Sequence, residues 1–176
     1  MAIVITVEDG SNVANANSYV SVADARTYAA NRGVTLPVDN DAVAAMLIQA
    51  SDYLETKACD YQGVPTYIDP PQSLAWPRTG VVINCTDFPS NAIPRQLIAA
   101  QCQLVFAIQA GVALFPNITP ADYVTEETVG PITTKYADPT KIGLGNMSPI
   151  LSAVDALLAN LFAPCGAGFV LSTRRV

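Results

Sequence analysis

The sequence predicts a mainly α protein: a four-helix bundle-like domain with a β-hairpin, a long Pro-rich ordered connection and an extended C-terminal arm. Three observations predict it. Apolar residues recur at helical spacing in four stretches, β-branched residues crowd residues 123–136, and five prolines punctuate residues 59–92. No repeat or domain boundary breaks the pattern, so one helical domain is expected over residues 1–163, with an arm over 164–176.

The elements follow in order. Residues 2–7 alternate like a short strand, ended by Asp9-Gly10-Ser11-Asn12. Ser21 reads as the N-cap of a first helix, whose stripe is Val22, Ala25, Tyr28 and Ala29 before Gly33. Val43, Met46, Leu47, Ala50, Tyr53 and Leu54 carry a second helix to about Ala58. Pro65, Pro70, Pro71, Pro77 and Pro89 keep the next stretch irregular, while Tyr61, Tyr67, Trp76 and Phe88 make it a wrap around the helices rather than a free linker. Pro94 opens a third helix running to about Val112. Two β-branched runs flank Gly130-Pro131 as a hairpin. Ser148 and Pro149 begin a fourth helix, with the stripe Ile150, Leu151, Val154, Leu157, Leu158 and Leu161.

Composition then limits the chemistry. The 176 residues are 51% apolar and only 14% charged, against a usual ~25% charged, so a core forms and disorder is excluded. Histidine is absent, which removes Ser-His-Asp and Cys-His catalysis, His-ligated zinc and an imidazole switch. A net charge of −6 disfavours binding driven by nucleic-acid phosphates. Four cysteines form no CxxC pair and read as reduced, buried thiols. The N-terminus lacks the basic region of a secretory signal. Residues 97–115 carry no charge, but Gln101, Gln103 and Gln109 interrupt them, so a buried helix is expected and no membrane partner.

No constellation points to catalysis. Asp41, Asp52, Glu55 and Lys57 resemble a metal-nuclease set, but they lie on a helical pattern and read as a solvated face. Gly143-Leu144-Gly145-Asn146-Met147-Ser148 lacks the Lys of a phosphate loop and reads as a capping loop. Cys102 has nothing to activate it. No catalytic residue, cofactor or metal ligand is therefore expected. Two features stand out as structural. Trp76, Pro77, Arg78 and Gly80 form a loop motif in which an aromatic anchor, a fixed backbone and a guanidinium plug the helical core. Phe169, Val170, Leu171, Arg174 and Arg175 form an apolar arm with a basic end, a candidate for binding a partner.

Thr6-Val7-Glu8-Asp9-Gly10, Ala16-Asn17-Ser18-Tyr19-Val20-Ser21, Ala23-Asp24-Ala25, Ala50-Ser51-Asp52-Tyr53-Leu54, Leu74-Ala75-Trp76-Pro77-Arg78-Thr79-Gly80 and Ile93-Pro94 carry a resemblance, joined by Val129-Gly130-Pro131-Ile132 and Ala153-Val154-Asp155-Ala156-Leu157-Leu158. The chain resembles a family of tailed-phage proteins labelled DnaT-like and single-stranded-DNA-binding, similar in helical layout to head-tail connector (adaptor) proteins. The connector likeness implies a structural virion protein of the neck, assembled in the host cytoplasm. It would form a ring, expected to be dodecameric, below the portal. Its implied partners are the portal protein, a downstream neck or tail protein, further copies of itself, and DNA passing through the lumen without specific binding. The alternative implied by the family label is a phage single-stranded-DNA-binding protein.

Overall fold

The computed structural model describes residues 2–115, 126–129, 132–135 and 151–162. These residues contain four helices and three two-stranded antiparallel sheets. The protein is therefore mixed α/β, and the expectation of a mainly α, four-helix bundle-like domain is corrected. The chain divides into two compact units, Met1–Gly111 with Leu151–Val176, and Val112–Ile150.

In the first unit the helices are α1 (Val22–Ala30), α2 (Asn40–Glu55), α3 (Arg95–Gln109) and α4 (Ser152–Phe162). Ser21 caps α1, its side chain accepting the Asp24 N–H, and Asp39 caps α2 through the Asp41 N–H. Helix α3 is central, packing against both α2 and α4, while α1 lies across α2 and α3. It buries Leu97, Ala100, Cys102, Leu104 and Val105 against Val43, Leu47, Ala50 and Leu54 of α2 and Val154, Leu158 and Leu161 of α4. Within the uncharged stretch 97–115, the face of α3 that carries Leu97, Ala100, Gln101, Leu104 and Val105 is thus spent on the chain's own core. No helix among the described residues is long and apolar enough to cross a membrane.

The bundle expectation fails between α2 and α3. There β1 (Val64–Pro65) pairs with β2 (Arg78–Thr79), and β3 (Val82–Ile83) pairs with β4 (Thr86–Asp87). The β3–β4 turn places Asn84 and Cys85 in the left-handed region, at φ 52° and 61°. Gly63 stands beside β1 at φ +66°, where a Cβ would meet the Thr79 carbonyl oxygen at 2.1 Å. Prolines in this segment sit at strand edges and turns, so they allow short ladders while forbidding long ones. In the second unit β5 (Glu126–Val129) pairs with β6 (Ile132–Lys135), with Val129 opposite Ile132.

Residues 2–7 do not form the expected strand. They are extended, but a single bridge, Val7 to Ser18, joins them to the fold. One asparagine replaces the missing strand. Asn17 accepts the Thr6 N–H on Oδ1 at 2.8 Å, donates Nδ2 to the Val4 carbonyl at 3.0 Å, and donates its own N–H to the Thr6 carbonyl at 2.9 Å.

Candidate functional site

The Trp-Pro-Arg-Thr-Gly string folds inward. Trp76 is fully buried, with its ring edge-on to Tyr61 at 5.6 Å and to Phe88 at 6.3 Å. Pro77 is buried behind it, and Gly80 turns the chain at φ +75°. Arg78 faces main-chain oxygens rather than a ligand: it donates to the carbonyls of Gln62 at 2.7 Å, Gly63 at 2.8 Å, Ala75 at 3.3 Å and Tyr61 at 3.4 Å. Burial lowers its pKa. Trp76 offers no surface on which a base could stack.

Beneath the string lies a polar network. Glu55 accepts the Tyr19 hydroxyl at 2.6 Å on one carboxylate oxygen and the Ala75 N–H at 2.7 Å on the other. Burial raises the Glu55 pKa, and those two hydrogen bonds partly offset it. The Tyr19 hydroxyl is pushed well up by burial and by the Glu55 charge. Tyr61 rises for the same two reasons. Gln101, fully buried on α3, accepts the Tyr19 N–H at 3.0 Å and donates to Ser18 Oγ at 2.8 Å and the Leu47 carbonyl at 2.9 Å. This ties the 18–20 segment to two helices at once.

Two further side chains organise loops. Glu8, buried, gathers the N–H groups of Gly10 at 2.8 Å, Asn12 at 3.2 Å and Val13 at 3.0 Å. Gln62 closes α4: its N–H donates to the Leu161 carbonyl at 2.9 Å and its Nε2 to the Asn160 carbonyl at 2.8 Å, while Tyr61 stacks on Phe162 at 5.3 Å. Gln62 and Gln101 lie in no motif, and Glu8 and Tyr19 lie in strings that carry the family resemblance but have no role marked there. Only Gln101 left a signal, as an amide inside an otherwise apolar helix.

A cleft among the described residues carries binding chemistry. It has a volume of about 440 Å³ and lies between the β3–β4 turn and the start of α3. Half-buried Phe88 and Ile93 give it an apolar wall, Asn84 and Gln96 bring amides, and Arg95 and Asp87 carry opposite charges at its rim. Arg95 is exposed, and its side chain makes no hydrogen bond among the described residues. Two cations of α1 and the residues after it are engaged. Arg26 bonds the Val38 carbonyl and Asn40, and Arg32 lies 3.4 Å over the Tyr28 ring.

The remaining sequence candidates separate. Phe169, Val170, Leu171, Arg174 and Arg175 lie outside the described residues, as does the 143–148 glycine loop. Among the described residues no group of three His, Cys, Asp or Glu could hold a metal ion. Asp41 accepts the Ile3 N–H, and both Glu55 oxygens are occupied, so the acidic residues of α2 do not converge. The solvated-face reading is corrected at Glu55, which is half-buried with both carboxylate oxygens bonded inside the fold. The buried-thiol reading holds for Cys102, whose pKa burial pushes up to about 12, and fails for Cys59 and Cys85, which are exposed.

Fold and surface together define a small mixed α/β protein whose buried Glu8, Arg78 and Gln101 tether its own loops and whose surface carries an amphipathic cleft. The whole chain, residues 1–176, matches the family described as "Putative DnaT-like ssDNA binding protein", and the chain belongs to that family. That description is of a binding protein rather than an enzyme. No curated protein and no solved structure matches the chain.

Proposed function

We propose that the protein binds single-stranded DNA through the cleft between the β3–β4 turn and α3. The observation that carries this reading is the family match over the full chain. In the cleft, Phe88 and Ile93 supply a surface for a base, Asn84 and Gln96 supply amides for its edge, and Arg95 supplies the phosphate contact. Asp87 on the same rim repels phosphate, so stacking rather than charge holds the strand. The test is anisotropy of a labelled oligodeoxythymidine at ~0.15 M salt. Saturable binding that weakens several-fold in Arg95→Ala and Phe88→Leu supports the reading, and no retention of the oligonucleotide overturns it.

A second reading, a head-tail connector ring that contacts the portal and passes DNA through its lumen, is favoured by charge. The chain is at −6, and Arg26, Arg32 and Arg78 are all engaged within the fold. An acidic ring lets DNA slide without sticking. Light scattering of the protein alone and with portal protein tests it, and a chain that stays monomeric in both conditions sinks it.

A further inference from the structure

The cleft holds two opposite charges that do not meet. Asp87 ends β4 and Arg95 opens α3, and both line the same cleft. Both are exposed, and among the described residues no ion pair joins them and no hydrogen bond reaches either side chain. An acid placed to hold the arginine would pair with it. Asp87 does not, so in a cleft that takes a phosphate its charge is a net cost unless it bonds the ligand itself.

A carboxylate accepts at both oxygens and has no proton to donate. It therefore selects a ligand edge with two adjacent donors. Of the four DNA bases, guanine has that edge, because its ring N–H and its exocyclic amino group lie side by side on the Watson–Crick face. Cytosine and adenine set an amino group beside a bare ring nitrogen, whose lone pair would face the second carboxylate oxygen. Thymine sets a single N–H between two carbonyls. The remaining group on the guanine edge is a carbonyl oxygen, which needs a donor. Asn84 and Gln96 bring amides to the same cleft, and neither side chain is hydrogen-bonded among the described residues. At about 440 Å³ the cleft is large enough to enclose one nucleotide.

We propose that Asp87 makes the cleft a guanine-selective subsite for a single strand. Its carboxylate accepts the ring N–H and the amino group of one unstacked guanine, an amide of Asn84 or Gln96 donates to the guanine carbonyl, and Arg95 meets the adjacent phosphate. This rests on the single-strand reading and names the base that the strand presents.

The test is anisotropy of short labelled oligodeoxythymidines that differ at one central position X, at ~0.15 M salt. X is dG, dC, dA, dT or deoxyinosine, and a lone dG keeps the probe from folding on itself. Wild-type protein is expected to bind X = dG at least about fivefold more tightly than X = dT. Deoxyinosine keeps the ring N–H and lacks the amino group, so it is expected to fall between the two. Asp87→Asn turns one acceptor into a donor and removes the charge. It is expected to weaken X = dG and to tighten X = dT, since the acid no longer repels phosphate. A side chain with a merely structural role would shift all the probes in one direction. If wild-type protein binds the probes alike or prefers another base, or if Asp87→Asn moves every probe by the same factor, the guanine assignment is wrong and the single-strand reading stands. If no probe is retained, both fall. If Asp87→Asn loses its helical circular dichroism, the order of dG, deoxyinosine and dT on wild-type protein decides alone.

Discussion

Arg78 shows how a conspicuous residue can be occupied with its own backbone. Its guanidinium satisfies carbonyls of residues 61–63 and of Ala75, so the β1–β2 ladder and the Trp76 loop share one cation. Replacing it with alanine strands those buried oxygens, and unfolding in urea should report a loss of about 2–4 kcal/mol. Arg78→Lys is expected to recover only part of this, because a lysine cannot reproduce the planar fork. Trp76 and Arg78 were visible in the sequence as an anchor and a bonding group. Their partners were not, because carbonyl acceptors exist in every residue and leave no mark in a sequence.

Glu55 gives the pH dependence. Its folded pKa lies above the ordinary glutamate value, so the folded state binds the proton more tightly than the unfolded chain does. That contribution to stability is fully present below the ordinary value and is lost as pH rises through the folded value. Wild-type protein should therefore gain an increment of stability on acidification through this window that Glu55→Gln lacks, measured as the difference in urea midpoints between the two proteins across pH. An identical pH profile for both would show that Glu55 contributes nothing to it. Thiol chemistry gives a companion test: Cys59 and Cys85 should react with a maleimide in the folded protein, whereas Cys102, buried and pushed up to about 12, should react only on unfolding.

At the scale of elements, helical periodicity located α2 well: Val43, Leu47, Ala50, Tyr53 and Leu54 are buried as the stripe requires. For α4 the stripe selects Val154, Leu158 and Leu161 correctly. The extent of α3 was overdrawn, since it ends at Gln109 rather than about Val112, because apolar residues continue beyond the last hydrogen-bonded turn. Periodicity also missed β1–β4, whose two-residue strands are too short to have a period. Those ladders depend on close backbone approach at Gly63. Gly63→Ala should cost more than Gly33→Ala, by about 1–3 kcal/mol in thermal or urea unfolding, because both have positive φ but only the first meets a carbonyl oxygen at 2.1 Å. Gln101 couples elements rather than capping one. Gln101→Leu is expected to lose about 2–4 kcal/mol despite its apolar gain, since the Tyr19 N–H loses its acceptor in a dry interior.

For the whole molecule, the decisive quantity is where the cations are. A strand bound in the cleft meets one unengaged arginine there, so the logarithm of affinity should fall with the logarithm of salt at a slope of about −0.7, the value for a single phosphate contact. A measured slope several times steeper would place the DNA on another surface. Helix α3 was expected to be a buried helix, and its core face is covered by α2 and α4 within one chain. Exposed apolar residues lie at the N-terminal segment, on β1 and on loops, at Val4, Val64, Val38 and Ile68.

Composition by itself determined the class of chemistry, since without histidine and with few charges the chain lacks the side chains for imidazole catalysis or a basic groove. It also determined the positions of the long helices, because a 3.6-residue period is a local property of the chain. Only the tertiary structure decided that the protein is mixed α/β, that Trp76 is a core residue rather than a stacking platform, and that Glu8 and Gln101 are buried ties and Glu55 a half-buried one. Those outcomes depend on pairings across tens of residues, such as Tyr19 with Gln101 and Gln62 with Asn160, and on backbone acceptors that every sequence contains.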